Sequence, residues 1–278
     1  MKEKKLYFKA EKENTLAMEL KRVLSRRFYR HLKYINAQYY INGSLSPLYK
    51  MVKAGDEIEI VYKELVKENM WPTAASLPRI VFENEHYLIV DKEPDILTIP
   101  IAACKESLYQ QIVLYLGHSD VHILNRLDRK TSGLVVIAKD RYAASLLEPT
   151  HQHIRRTYIC LVEGIVPEGG TIQNFIARSE DSNKRVLSPH GKLAISHYRV
   201  LKKLDANKTI LEFQLETGRT HQIRLHTSSI GHPIIGDDLY GNGLKTERLY
   251  LTSYKVSFTD PFDQKEITIC LKEGWWNQ

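Results

Sequence analysis

The chain has 278 residues, 43% hydrophobic and 26% charged, which suits a globular protein of one or two domains with a sizeable core. No apolar run approaches the roughly 20 residues that span a bilayer, and the charged start MKEKKLYFKAEKEN lacks the apolar stretch of a secretory signal. Cys104, Cys160 and Cys270 are odd in number and far apart, which argues against a disulfide framework or a paired-cysteine zinc site and points to a reducing cytoplasm. The net charge of +7 is uneven: residues 1–63 hold 14 Lys and Arg against 7 Asp and Glu, so the whole surplus sits there. That asymmetry predicts a basic module that meets an anion, joined to a neutral body with another task. A solvated basic face without a partner is the plain alternative.

In chain order, residues 14–25 (NTLAMELKRVLS) carry apolar positions at helical spacing, with Asn14 as the expected cap. A second helix follows in SRRFYRHLKYINA, where basic and aromatic residues interleave. Asn42-Gly43 and Ala54-Gly55-Asp56 then separate short β segments. Residues 64–79, interrupted by Pro72 and Pro78, read as a linker. Beyond it, RIVFENEHYLIVDK gives two strand-like runs, SGLVVIAKD a buried strand, residues 141–154 a helix and RRTYICLVEGIV another strand. Residues 195–218 read as a long hairpin around Asp205-Ala206-Asn207-Lys208. RTHQIRLHTSSIG reads as a helix stopped by Gly231, and two strands around Asp260-Pro261-Phe262-Asp263 close the chain. The fold class is therefore α+β. A body over 80–278, built on a large and mainly antiparallel sheet with an active-site cleft, follows a small α+β module over 1–63.

Three stretches carry candidate chemistry. In NRLDRKTSGLVVIAK (125–139), Asp128 lies between Arg126 and Arg129 and ahead of the small residues Thr131, Ser132 and Gly133. Neighbouring guanidinium groups favour a charged carboxylate, and an acid so held serves as nucleophile or base. A salt-bridged loop acid is the bland reading, and in isolation the stronger one. The stretch 215–241 gathers Arg219, Thr220, His221, Gln222, Arg224 and His226, a polar cluster suited to phosphate or carboxylate contacts near a helix start. His221 and His226 miss the i, i+4 spacing of helical zinc ligands, so no metal is expected. Tyr158 is by itself an ordinary strand aromatic.

Taken together and in order, RLDRKTSGLVVIAK (126–139), RRTYICLVEG (155–164), TGRTHQIRLH (217–226) and GHPIIGDDLYG (231–241) resemble the RluA-type family of RNA pseudouridine synthases over nearly the full chain. Residues 1–63, with Arg26, Arg27, Arg30 and Lys33, resemble the small alpha-L RNA-binding module shared by a ribosomal protein and several RNA-modifying enzymes. The resemblance implies isomerisation of uridine to its carbon-linked form, with no metal or cofactor, in ribosomal RNA ahead of transfer RNA. It implies Asp128 as the residue acting at the sugar, Arg219 as its partner, Tyr158 stacking on the base, and Arg126 filling the space of the extruded nucleotide. Thr131, Thr220, Gln222 and Arg224, with Arg26, Arg27 and Arg30, are the expected RNA contacts. A cytoplasmic monomer without membrane or obligatory protein partner is expected.

The pattern is departed from at Asn125 (usually histidine), at Arg156-Thr157 (a lysine is common before the tyrosine), at Asp95 (usually glycine) and at Thr227 (often leucine). The competing reading is a non-catalytic RNA-binding or ribosome-assembly factor on the same fold. A glycoside hydrolase lacks a convincing second carboxylate, Glu216 and Asp237 being explained otherwise.

Overall fold

The computed structural model describes residues 2–64, 76–102, 104, 106–147, 154–180, 182, 184–204, 207–243 and 246–277. The N-terminal unit comprises β1 (Lys2–Lys9), β2 (Asn14–Thr15), α1 (Leu16–Val23), α2 (Arg26–Tyr34), β3 (Gln38–Ile41), β4 (Ser44–Leu45), β5 (Met51–Val52) and β6 (Glu57–Glu64). Strands β1, β6, β3 and β4 form an antiparallel sheet in that order. Thr15 and Ser25 cap the two helices by accepting the N–H groups of Met18 and Phe28. Asn14, the expected cap, instead lies in β2 opposite Val52 of β5, because Thr15 is one residue nearer the first helical turn. Leu16, Leu20, Phe28 and Leu32 share a core with Ile58 and Ile60 of β6. Burying that face of α2 turns Arg26, Arg27, Arg30 and Lys33 outward.

The body contains β7 (Arg79–Glu83), β8 (Tyr87–Lys92), α3 (Leu108–Leu116), β9 (His122–Ile123), β10 (Ser132–Ala138), α4 (Arg141–Leu147), β11 (Arg155–Glu163) and β12 (Gly170–Arg178). It continues with β13 (Arg185–Leu187), β14 (Lys192–Leu204), β15 (Lys208–Leu215), α5 (Gln222–Ser229), β16 (Leu251–Thr259) and β17 (Glu266–Cys270). An eleven-stranded sheet runs β13-β12-β14-β15-β11-β16-β10-β8-β7, with β17 on β16 and β9 on β10. Among the described strand pairs only β10 and β16 run parallel, so the sheet is mainly antiparallel.

The apolar run SGLVVIA of β10 is buried at every position because both faces are covered. Val135 and Ile137 join Leu88 and Val90 of β8 in one core, which also takes up Ile112 of α3 and Ile223 of α5. Leu134, Val136 and Ala138 alternate into a second core with Tyr87, Ile89 and Ala144 of α4. At about 1.5–3 kcal/mol for each large aliphatic side chain, this strand is a stiff support for the loop that precedes it. The two units meet where Tyr142 of α4 packs on Phe28, with ring centroids 5.4 Å apart, and where Lys4 pairs with Asp120 at 2.7 Å.

Helix α3 and the β12–β13 hairpin were not among the expected elements. Of the expected helix over 141–154, Arg141–Leu147 is helical and Ile154 is not, while 148–153 lie outside the described residues. So do 65–75 of the expected linker and Asp205-Ala206 of the expected turn. The expected helix around Gln222 starts later than its polar run, for a reason given by His221 below.

Candidate active site

Asp128 stands between β9 and β10, and the backbone on either side of it is pinned. The Thr98 hydroxyl donates to the Leu127 carbonyl at 2.7 Å and accepts the Leu127 N–H at 3.1 Å. On the other side Lys92 Nζ, only 1% exposed, donates to the carbonyls of Glu93, Ile96 and Arg129 at 2.8, 2.8 and 3.0 Å. Burial pulls the Lys92 ammonium down to about 8, with Asp128 and Asp95 opposing the shift. Arg129 Nε donates to the Asp95 carbonyl at 3.0 Å, and Lys130 pairs with Asp238 at 2.9 Å. Asp95 takes a left-handed conformation (φ 64°), which aspartate tolerates where glycine is usual. Asn125 uses both ends of its amide on β10, accepting the Val136 N–H at 2.7 Å and donating to the Leu134 carbonyl at 3.2 Å. Its departure from histidine is thus a structural clasp on the strand behind the loop.

Tyr158 comes from β11, where the register against β16 shifts between Thr157 and Tyr158. Such an irregularity re-aims a side chain, and here Tyr158 joins the lining of the cleft while remaining 6% exposed. Burial pushes its phenol above the ordinary value; Arg156 opposes this and Asp128 adds to it.

The third stretch does not form one helix. His221 adopts φ 57°, so α5 begins at Gln222 and the side chains at 219–221 project from a turn. His221 Nδ1 lies 3.0 Å from the Tyr240 hydroxyl, and burial lowers its imidazole below the usual value, with Asp128 pulling the other way. Two expected RNA contacts are taken by the protein itself. Gln222, 2% exposed, accepts from the Thr217 hydroxyl and the Arg219 N–H and donates to the Ile195 carbonyl and Ser196 Oγ. Arg224, 3% exposed, forks onto both carboxylate oxygens of Asp237 at 2.6 and 2.8 Å and reaches Asp238 at 3.2 Å. Both engagements have one cause: a buried amide or guanidinium must be satisfied internally. Thr131 is also enclosed, and among the described residues its hydroxyl has no partner. Arg219 Nε donates to the Leu193 carbonyl at 3.0 Å, and among the described residues no ion pair joins it to Asp128.

Asp128, Tyr158, Arg126, Thr131, Arg219, Thr220, Gln222 and Arg224 all line one cleft of about 800 Å³, together with His221 and Arg156. Arg26, Arg27 and Arg30 do not line it; they lie on α2 of the N-terminal unit. Sequence reading passed over Lys92 and Thr98. A lysine ending the apolar run YLIVD was the available signal for the first, since lysine is rarely buried unless partnered; Thr98 carried none.

A family model described as RNA pseudouridylate synthase matches residues 86–229. The chain belongs to this family. The synthase is 34% identical over 259 residues to the uncharacterized RNA pseudouridine synthase YjbO of Bacillus subtilis, covering 88% of this chain and 89% of the relative. It is 34% identical over 209 residues to ribosomal large subunit pseudouridine synthase D of Pseudomonas aeruginosa, covering 72% of this chain and 65% of that one. Human RNA pseudouridylate synthase domain containing 1 superposes with a TM-score of 0.61 at 23% identity, over 73% of this chain and 86% of the human one, which shows the common fold. The protein is accordingly an RNA pseudouridine synthase, an isomerase that converts uridine in RNA to pseudouridine. No described helix is long and apolar enough to cross a membrane.

Proposed function

We propose that the synthase acts on ribosomal RNA, with Asp128 as the group that acts at the sugar of one extruded uridine. The carrying observation is that Asp128 and Tyr158, from a loop and a strand 30 residues apart, line a single cleft of about 800 Å³, a volume in the range that encloses a small ligand or a flipped nucleotide. In this reading Asp128 attacks the glycosidic carbon or removes a sugar proton. The base detaches, turns and re-bonds to the sugar through a ring carbon, which gives up its proton while the freed ring nitrogen gains one; Tyr158 stacks on the base, and Arg126 occupies the vacated space. Arg219 and Thr220 meet the RNA backbone at the rim. The relative of Pseudomonas aeruginosa named for the large ribosomal subunit supports the choice of RNA. The basic surplus in residues 1–63 supports a role for the N-terminal unit in holding it, the whole working as a cytoplasmic monomer.

The test is a transcriptome-wide pseudouridine map of cells lacking the gene, complemented with wild type or Asp128→Asn. The expected outcome is one or a few ribosomal uridines modified by wild type only, with the melting temperature of the purified variant unchanged. Sites that persist with Asp128→Asn remove Asp128 from the chemistry. A map confined to transfer RNA overturns the choice of substrate.

A further inference from the structure

Two residues before Tyr158, Arg156 lines the same cleft. Its guanidinium lies across the open face of Gly218, where an added Cβ would stand 3.4 Å from Nη1 and 3.6 Å from Nη2. Its Nε is enclosed and has no hydrogen-bond partner. Among the described residues the side chain forms no hydrogen bond or ion pair at all. Arg126, which also lines the cleft, is likewise unbonded among the described residues but is exposed. Arg129 and Arg219 each give their Nε to a carbonyl, of Asp95 and Leu193, and Arg224 forks onto Asp237.

An enclosed donor left unmade costs about 1–3 kcal/mol, and a half-buried cation without a counter-charge adds a desolvation penalty. Such a group is retained where a ligand completes it. The planar guanidinium offers a fork of donors matched to two oxygens of a phosphate. The cleft also holds Asp128 and Glu216, so an RNA phosphate brought to it needs a cation that is not already spent. Gly218 leaves that cation uncovered on the side of the loop that leads into Arg219.

We propose that Arg156 is a phosphate-binding residue, taking the phosphodiester that flanks the extruded uridine; this rests on the reading of the cleft as the uridine site. The pair Arg156 and Gly218 then forms a subsite: the arginine supplies the donors and the glycine the access. Because Arg156 also opposes the burial of the Tyr158 phenol, its test must separate a phosphate contact from an effect on tyrosine.

The full-length protein is titrated with a fluorescein-labelled RNA stem-loop carrying an all-uridine loop, over a range of salt concentrations. Wild type, Arg156→Gln and Arg156→Lys are compared. The same proteins are assayed for steady-state isomerisation of ribosomal RNA transcribed in vitro. The expected result for Arg156→Gln is a log K against log salt slope shallower by about 0.7–0.9, the value of one lost phosphate contact. KM should rise more than kcat falls, and Arg156→Lys should keep the wild-type slope. Melting temperature at or above wild type in Arg156→Gln shows that the fold is intact, since an unpaired cation has been removed. An unchanged slope overturns the proposal. A fall in kcat with a displaced pH profile at constant slope also overturns it and assigns Arg156 to Tyr158. If wild type neither binds nor isomerises RNA, the uridine-site reading fails as well; an active wild type with an indifferent Arg156→Gln refutes the phosphate contact alone.

Discussion

At the scale of single residues, the position of Asp128 is set by what holds its neighbours. Thr98 fixes Leu127 and Lys92 fixes Arg129, so the carboxylate between them has little freedom before substrate arrives, as a reactive group requires. Lys92 uses all three ammonium hydrogens on carbonyls. Its value near 8 gives a sign: below about pH 8 the ammonium is intact and the loop is clamped, and as the pH rises through 8 one donor is lost and one of the three carbonyls gives up its bond to lysine. Activity should therefore hold on the acid side of 8 and decline on the alkaline side, which a kcat–pH profile reads directly. Lys92→Met removes the clamp at every pH. It should cost about 3 kcal/mol in denaturant unfolding, because three carbonyls of the loop lose their common donor. Asp128 was legible from its sequence neighbours; the clamp was not, since Thr98 and Leu127 lie 29 residues apart and meet only in the fold.

At the scale of elements, β10 was readable because seven successive apolar or small residues leave it no solvent face. Its partner was not readable. Gly133 sits opposite Ser253 in the parallel β10–β16 pair at φ +110°, and a Cβ there would fall 2.3 Å from the Ser253 carbonyl oxygen. The clash is with backbone, so it cannot be relieved by a side chain swinging away. Gly133→Ala should cost at least about 2–3 kcal/mol, seen as a lowered melting temperature, and should depress turnover because the Asp128 loop feeds into this strand. The late start of α5 follows the same rule. The polar run looked helical throughout, yet His221 is left-handed and hydrogen-bonded to Tyr240. A contact 19 residues away in sequence overrides a local preference.

At the scale of the molecule, charge and chemistry are divided between two sheets. The basic surplus lies in the N-terminal unit, four of its cations on a helix whose apolar face is spent on its own core, while the cleft belongs to the eleven-stranded sheet. That division predicts separable effects. The double variant Arg26→Gln/Arg30→Gln should flatten the salt dependence of RNA binding by about 1.4–1.8 in log–log slope, two phosphate contacts' worth. It should leave kcat at saturating RNA near wild type. A kcat loss without a change of slope would place these arginines in the folding of the unit rather than on RNA.

The sequence by itself determined the α+β class, the mainly antiparallel character of the sheet, the location of the charge and the motif positions Asp128, Tyr158 and Arg219, because each depends on residue type and short-range spacing. Only the tertiary structure decided which polar side chains are available. Gln222 and Arg224 read as ligand contacts and proved bonded within the protein to Ile195, Ser196, Asp237 and Asp238, whereas Arg156 read as a departure from a pattern and proved uncommitted. The physical reason is that a donor's availability depends on whether distant carbonyls and carboxylates reach it first, and those distances exist only once the sheet has brought the segments together.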